Sequence, residues 1–270
     1  MAPLSFSGKK PDRGGKNFKK RPEKDSSRTA RAKPDRARSD RPKPDRRKPE
    51  LKERQDRRYR EFAVPPLPVD ITGDELEKKR RFQLQPLAPE NAEVVAKHLV
   101  AIERFLESEP DLAYRHGQEA TYRAGRIAIV RELAGLAALR SGRYEIAQKD
   151  LRAASRISGS KEVLPFIAQC EVALGNPRKA LEIAGSVEPR TLSAAGRVEL
   201  RIAAAAARSA LGQFDAAVVT LRCEELNESE APWSSRLRTA YYKALSSAGK
   251  NNEAQSFRER FPQSIVSEAL

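Results

Sequence analysis

The chain has 270 residues, with 52 Lys/Arg against 37 Asp/Glu, a net charge of +15 at pH 7, two Cys and one Trp. Two cysteines exclude a disulfide-stapled scaffold, and no stretch approaches the ~20 apolar residues of a membrane span. The charge is uneven: residues 1–60 carry 23 basic and 9 acidic side chains (net +14), and the other 210 carry 29 and 28 (net +1).

Residues 1–60 read as a disordered basic arm. Leu4, Phe6, Phe18 and Leu51 are scattered singly, without helical or strand period. Such a stretch buries too little surface to offset roughly 1–2 kcal/mol of backbone entropy per ordered residue. Lys-Pro-Asp-Arg occurs three times, at Lys10–Arg13, Lys33–Arg36 and Lys43–Arg46, so the arm is a low-complexity polyampholyte stiffened by proline. Its candidate polyanion-binding residues are Lys10, Arg13, Lys19, Lys20, Arg21, Lys33, Arg36, Lys43, Arg46, Arg47 and Lys48. These side chains neutralise phosphates and release counterions, which points to RNA, ribosomal RNA included, or another polyanion. Phe6, Phe18 and Tyr59 are too few for a stacking platform. A solvated spacer, or contact with an acidic protein or membrane surface, are the other readings. No hydrophobic anchor accompanies the charge, so membrane contact is not expected. No signal-peptide-like apolar run follows the N-terminal charges, and the nine acidic residues argue against a presequence, which gives a cytoplasmic expectation.

Residues 61–88 are expected to form a proline-rich strap on the body, with Phe62, Val64, Leu67, Val69 and Ile71 along it. Thr72 and Glu75 match a capping box, which predicts a short helix over about 73–83. The Lys78-Lys79-Arg80-Arg81 run is a solvated face or an extension of the arm's field.

From residue 89 to 262 the chain reads as successive helices, with a short tail over 263–270. Gly142-Arg-Tyr144-Glu-Ile-Ala147 recurs as Gly175-Asn-Pro177-Arg-Lys-Ala180, Gly212-Gln-Phe214-Asp-Ala-Ala217 and Gly249-Lys-Asn251-Asn-Glu-Ala254. The alanines are 33, 37 and 37 residues apart, and Ala113, 34 before Ala147, opens a degenerate fifth unit. Units of this length imply an all-α solenoid of about five helical hairpins. Twelve residues before each alanine stand Ala101, Gly135, Ala168, Ala205 and Tyr242, four of them small.

This register resembles the tetratricopeptide repeat, in which small residues of two paired helices let their backbones approach. The repeat's usual Trp and terminal Pro are missing from their standard positions. Over residues 67–260, the stretches Arg126-Ile-Ala-Ile-Val-Arg-Glu-Leu-Ala-Gly135, Leu164-Pro-Phe-Ile-Ala-Gln-Cys170, Leu211-Gly-Gln-Phe-Asp-Ala-Ala-Val-Val-Thr-Leu221 and Trp233-Ser-Ser-Arg-Leu-Arg238 also resemble a group of actinobacterial tetratricopeptide-like proteins with basic N-termini. The resemblance implies the fold and a bacterial cytosol, and carries no activity. By the repeat's register, the groove positions for a bound polypeptide are His98, Ile102 and Phe105, then Glu132, Leu136 and Leu139, then Gln169, then Ile202 and Ala206, then Thr239 and Lys243. The groove is either open or filled by the strap.

Catalytic signatures are absent: no phosphate loop, zinc-type His pair, Cys pair or nucleophile elbow. His98 and His116 read as ordinary polar or half-buried histidines, and Cys170 and Cys223 as small buried apolar residues of a reducing compartment. Trp233 reads as an anchor between hairpins or a partner contact, and Pro165 as a shifted helix start or a kink. No cofactor is expected. The sequence therefore predicts a non-enzymatic adaptor, its body binding an unidentified protein or peptide and its arm a polyanion. The alternative is a nucleic-acid binder in which arm, strap and body share one surface.

Overall fold

The computed structural model describes residues 64–228, 230–263 and 265. All of them belong to the unit spanning Lys52–Leu270. The arm over 1–60 with its eleven basic residues, the start of the strap at 61–63, and most of the tail lie outside the described residues.

Among the described residues the structure is all-helical, with no strand. The helices are α1 (Lys78–Phe82), α2 (Pro89–Phe105), α3 (Pro110–Ala124), α4 (Ala128–Arg140), α5 (Tyr144–Ser158), α6 (Leu164–Ala173), α7 (Pro177–Gly185), α8 (Ala194–Ala210), α9 (Phe214–Leu221), α10 (Ser234–Ser247) and α11 (Asn251–Arg260). Two 3-10 turns, Pro189–Thr191 and Glu224–Asn227, follow α7 and α9. None of these helices is long and apolar enough to cross a membrane. Pro89, Pro110 and Pro177 open their helices, where a missing N–H costs nothing. Pro165 sits in the first turn of α6, so it marks the helix start rather than a kink.

From α2 onward each helix packs on the next in sequence, and α2, α4, α6, α8 and α10 also touch one another in order. The pairs α4–α5, α6–α7, α8–α9 and α10–α11 are joined by one turn geometry. Gly142, Gly175, Gly212 and Gly249 have φ of +76°, +78°, +74° and +72°. The following N–H (Arg143, Asn176, Gln213, Lys250) bonds back to Ala138, Glu171, Arg208 and Leu245 carbonyls at 2.8, 2.8, 2.9 and 2.9 Å. This is a Schellman cap, whose left-handed residue glycine adopts without a Cβ penalty. A Cβ at these four positions would meet nothing within 4 Å, so backbone conformation alone demands glycine there.

The repeat alanines lie at the helix crossings: Ala113, Ala147, Ala180 and Ala217 are fully buried and Ala254 nearly so. On the facing helices Ala101, Gly135, Ala168 and Ala205 are buried, whereas the larger Tyr242 is only half-buried. At Gly135 the approach is closest. A Cβ there would stand 2.7 Å from Leu151 Cγ and 3.1 Å from the Leu151 backbone nitrogen.

The strap packs on the first hairpin through Ile71, Leu76 and Leu84, which join a core with Val95, Leu99 and Ile102. Arg104 of α2 binds Asp70 at 2.7 Å, and Arg80 pairs with Glu103. Val69 is wholly exposed, so the strap is not apolar contact throughout. The expected helix over 73–83 is shorter, starting at Lys78. Glu75 accepts from the Thr72 and Gly73 backbone N–H groups at 3.1 and 2.8 Å, closing a separate turn around Gly73, at φ +91°. Backbone N–H groups, its own first and then those of Thr72 and Gly73, hold the Glu75 carboxyl down at about 2.

Two glycine substitutions should separate the two demands in urea denaturation. Gly135→Ala forces α4 from Leu151 and should cost about 1–3 kcal/mol. Gly142→Ala adds only a left-handed penalty of about 1–2 kcal/mol.

Candidate functional site

The row α2, α4, α6, α8, α10 carries a polar network on helix turns next to the predicted groove positions. Glu199 of α8 sits at its centre. Gln169 of α6 donates to Glu199 Oε2 at 2.8 Å, and Arg236 of α10 reaches the same oxygen at 3.0 Å. Burial lowers the Arg236 guanidinium from its ordinary range, with Glu199 opposing. Arg140 and Glu107, paired with each other at 2.9 Å, lie within electrostatic reach of Arg236. Residues from α4, α6, α8, α10 and the loop after α2 thus share one field.

Nearer the chain start, Glu132 is half-buried. Burial pushes its carboxyl above the usual carboxylate range, the neighbouring Glu162 and Glu103 add to this, and Arg80 of α1 opposes. Arg80 pairs with Glu103, so α1 of the strap reaches this part of the wall. Glu162 is itself spent on Ser193, accepting from its N–H at 2.6 Å and its hydroxyl at 3.0 Å.

Of the predicted groove residues, Phe105, Glu132, Leu136, Gln169, Ile202 and Thr239 are partly accessible, and Ala206 and Lys243 are exposed. His98, Ile102 and Leu139 are not groove residues: they are buried at 1%, 0% and 8% exposure. Ile102 belongs to the core shared by α2, α3 and the strap, while Leu139 packs with Leu151, Val163 and Ile167. The strap therefore does not cover Leu139. Arg80, Glu107, Arg140, Glu199 and Arg236 escape the register alone. Their signal is helical spacing: Arg140 is one turn beyond Leu136, and Glu199 and Arg236 are three residues before Ile202 and Thr239.

The histidines are neither half-buried nor independent. His98 and His116 are buried together with their Nδ1 atoms 2.9 Å apart. One ring donates and the other accepts, which requires the accepting ring to be unprotonated at Nδ1. Phe105 stacks on His116 at 6.0 Å, and His116 Nε2 has no hydrogen-bond partner. Burial pushes both pKa values down to about 4, helped for His98 by the His116 and Arg123 charges and for His116 by Arg115. Among the described residues no group of three or more His, Cys, Asp or Glu is arranged to hold a metal ion. Cys170 is buried and Cys223 half-buried; burial raises their thiols to about 12 and about 11, which leaves little thiolate at neutral pH. Trp233 is half-buried against the core of the last hairpins, as an anchor would be.

Comparison of the chain with known protein families, with curated proteins and with solved structures finds no match in any of the three.

The histidine pair makes stability pH-dependent. The unfolded rings bind protons near pH 6.5 and the folded ones only near pH 4, so their contribution is complete above 6.5 and is lost as pH falls towards 4. Each histidine adds a slope of up to about 1.4 kcal/mol per pH unit in that window. Urea midpoints measured from pH 7 to 4.5 should fall less steeply in His116→Asn, which keeps a polar group at Nδ1 but does not titrate.

Proposed function

We propose that the chain is a non-catalytic adaptor of the bacterial cytoplasm. In this reading, a tetratricopeptide-like solenoid of five hairpins binds a polypeptide segment along the α2–α10 row, while the basic arm holds RNA or another polyanion. The observation that carries it is the row itself: five first helices in mutual contact, with a half-accessible wall of alternating apolar and charged groups. Leu136 and Ile202 offer apolar contact on it, and Gln169, Glu199 and Arg236 offer hydrogen bonds and charge suited to a peptide. The four Schellman turns and the buried alanines support the tetratricopeptide reading, because they place small residues where paired backbones meet.

The rival reading, a nucleic-acid surface shared by arm, strap and body, is disfavoured by the body's own carboxylates. Arg81 pairs with Asp74, Arg104 with Asp70, Arg131 with Asp150, Arg143 with Asp111 and Arg152 with Glu171. Guanidiniums already matched in this way have less to gain from phosphates, and the net charge outside residues 1–60 is only +1.

Binding of a single-stranded RNA across a salt series tests this on the full chain. Replacing the eleven arm residues from Lys10 to Lys48 named above by Gln should flatten the log–log salt slope by about 0.7 for each phosphate no longer neutralised. A wall variant, Gln169→Lys with Ala206→Arg, should leave RNA binding unchanged and lose the protein partner that the unaltered chain captures. RNA affinity that survives in the arm variant would assign the nucleic acid to the body instead.

A further inference from the structure

Helix α8 has a second, differently built face. Arg201, Ala204 and Arg208 follow Glu199, Ile202 and Ala206 by two positions, about 200° around the helix. The polar wall and this face therefore point away from each other. The helices α7 and α9, which pack against α8, are short, with 9 and 8 residues against its 17. They leave a cavity of about 360 Å³ over α8. Its floor is apolar, made by Leu181 and Ala184 of α7 and by Leu200 and Ala204 of α8.

Three arginines, Arg197, Arg201 and Arg208, line this cavity. Arg201 Nη1 donates to the Thr220 carbonyl at 3.2 Å, and Arg208 Nη1 donates to the Thr220 hydroxyl. That hydroxyl in turn donates to the Ala216 carbonyl at 2.6 Å, so Thr220 is held in place while it positions both arginines. Neither Arg201 nor Arg208 forms a salt bridge with a carboxylate among the described residues. Arg197, on the same border, lies 3.7 Å from Glu225 and donates to the Leu192 carbonyl, and the charge of Glu225 reaches Arg201 as well. A second surface hollow shares Arg201, Arg208 and Thr220 and extends along α9 to Ala216 and Val219. A guanidinium has five N–H donors in a planar fork, so one bond to Thr220 leaves each arginine with donors for an anion. The arrangement is polarised, with cationic forks at one side and aliphatic floor at the other, at a volume within the range of small-ligand sites.

We propose that this cleft binds a small amphiphilic anion: a carboxylate or phosphate head held between Arg201 and Arg208, with a short apolar chain on Leu181, Ala184, Leu200 and Ala204. The site is separate from the peptide wall. A matched hydrocarbon without charge forgoes the forks, and the head alone forgoes the floor.

Calorimetric titration of the full chain with sodium octanoate tests the site, with 1-octanol and acetate as the uncharged and tailless probes. Octanoate should bind one to one, at least tenfold more tightly than either. Arg201→Gln with Arg208→Gln should weaken octanoate at least tenfold while leaving the arm's cations intact, which removes non-specific anion binding as the explanation. Ala184→Phe fills the floor and keeps both guanidiniums, and should weaken octanoate by a similar factor. It serves as the deciding variant if the double substitution unfolds, as judged by circular dichroism. Octyl phosphate in place of octanoate identifies the preferred head, and both should exceed octanol. Unchanged octanoate affinity in the folded variants, equal binding of octanol, or no octanoate binding to the unaltered chain would overturn the proposal.

Discussion

Paired helix backbones approach one another closely throughout this body, and that approach is met by deleting side-chain volume at the crossings. Ala113, Ala147, Ala180, Ala217 and Ala254 are buried on the second helices, and Ala101, Gly135, Ala168 and Ala205 on the first. The left-handed glycines then reverse the chain within a few residues, in one geometry in four of the five hairpins. With the second helices held this way, the first helices are brought into mutual contact, and their row becomes a continuous surface. In the last hairpin Tyr242 replaces the small residue, and it remains half-buried rather than at a tight crossing.

Charge is used differently in the two parts of the chain. In the body, many arginines are matched locally to carboxylates, and the buried Glu171 shows how closely. It is 1% exposed, yet Arg152 at 3.0 Å, Lys179 at 2.8 Å and Asn176 at 3.2 Å surround it. Those bonds and charges hold its carboxyl below the usual range against the opposing effect of burial. Such a site links α5, α6 and α7 and leaves little net field. The excess charge of the chain is confined to residues 1–60, where acidic groups are outnumbered 23 to 9. The adaptor reading follows from this division: a body of balanced charge suited to a polypeptide, and an arm suited to a polyanion.

Differences in helix length give the body its second feature. The first two hairpins have second helices of 15 residues, α3 and α5, whereas α7 and α9 have 9 and 8. Shorter outer helices cover less of α8. The cavity, lined by Arg197, Arg201 and Arg208, is found there, beside the 3-10 turn Pro189–Thr191 that carries the chain onward from α7.

The helical class, the hairpin turns and the small residues at the crossings are legible in the amino-acid order, because each is a local property. A glycine five residues before a repeat alanine, an alanine every 33–37 positions and a proline at a helix start act through backbone conformation or side-chain volume at their own position. The capping pair at Thr72 points to a helix that begins too early, since the same pair is equally able to close an isolated turn and nothing local chooses between them. Which face of each helix stays accessible is settled by packing instead. His98, Ile102 and Leu139 fit the spacing of a groove, but the helix that lands on each one belongs to another part of the chain. The pairing of His98 with His116, the sharing of Glu199 between Gln169 and Arg236, and the convergence of Arg201 and Arg208 on Thr220 join residues 12 to 37 positions apart. The first and third depend on how the two helices of one hairpin pack and the second on how hairpins stack, and both are sums over many contacts that no single motif encodes.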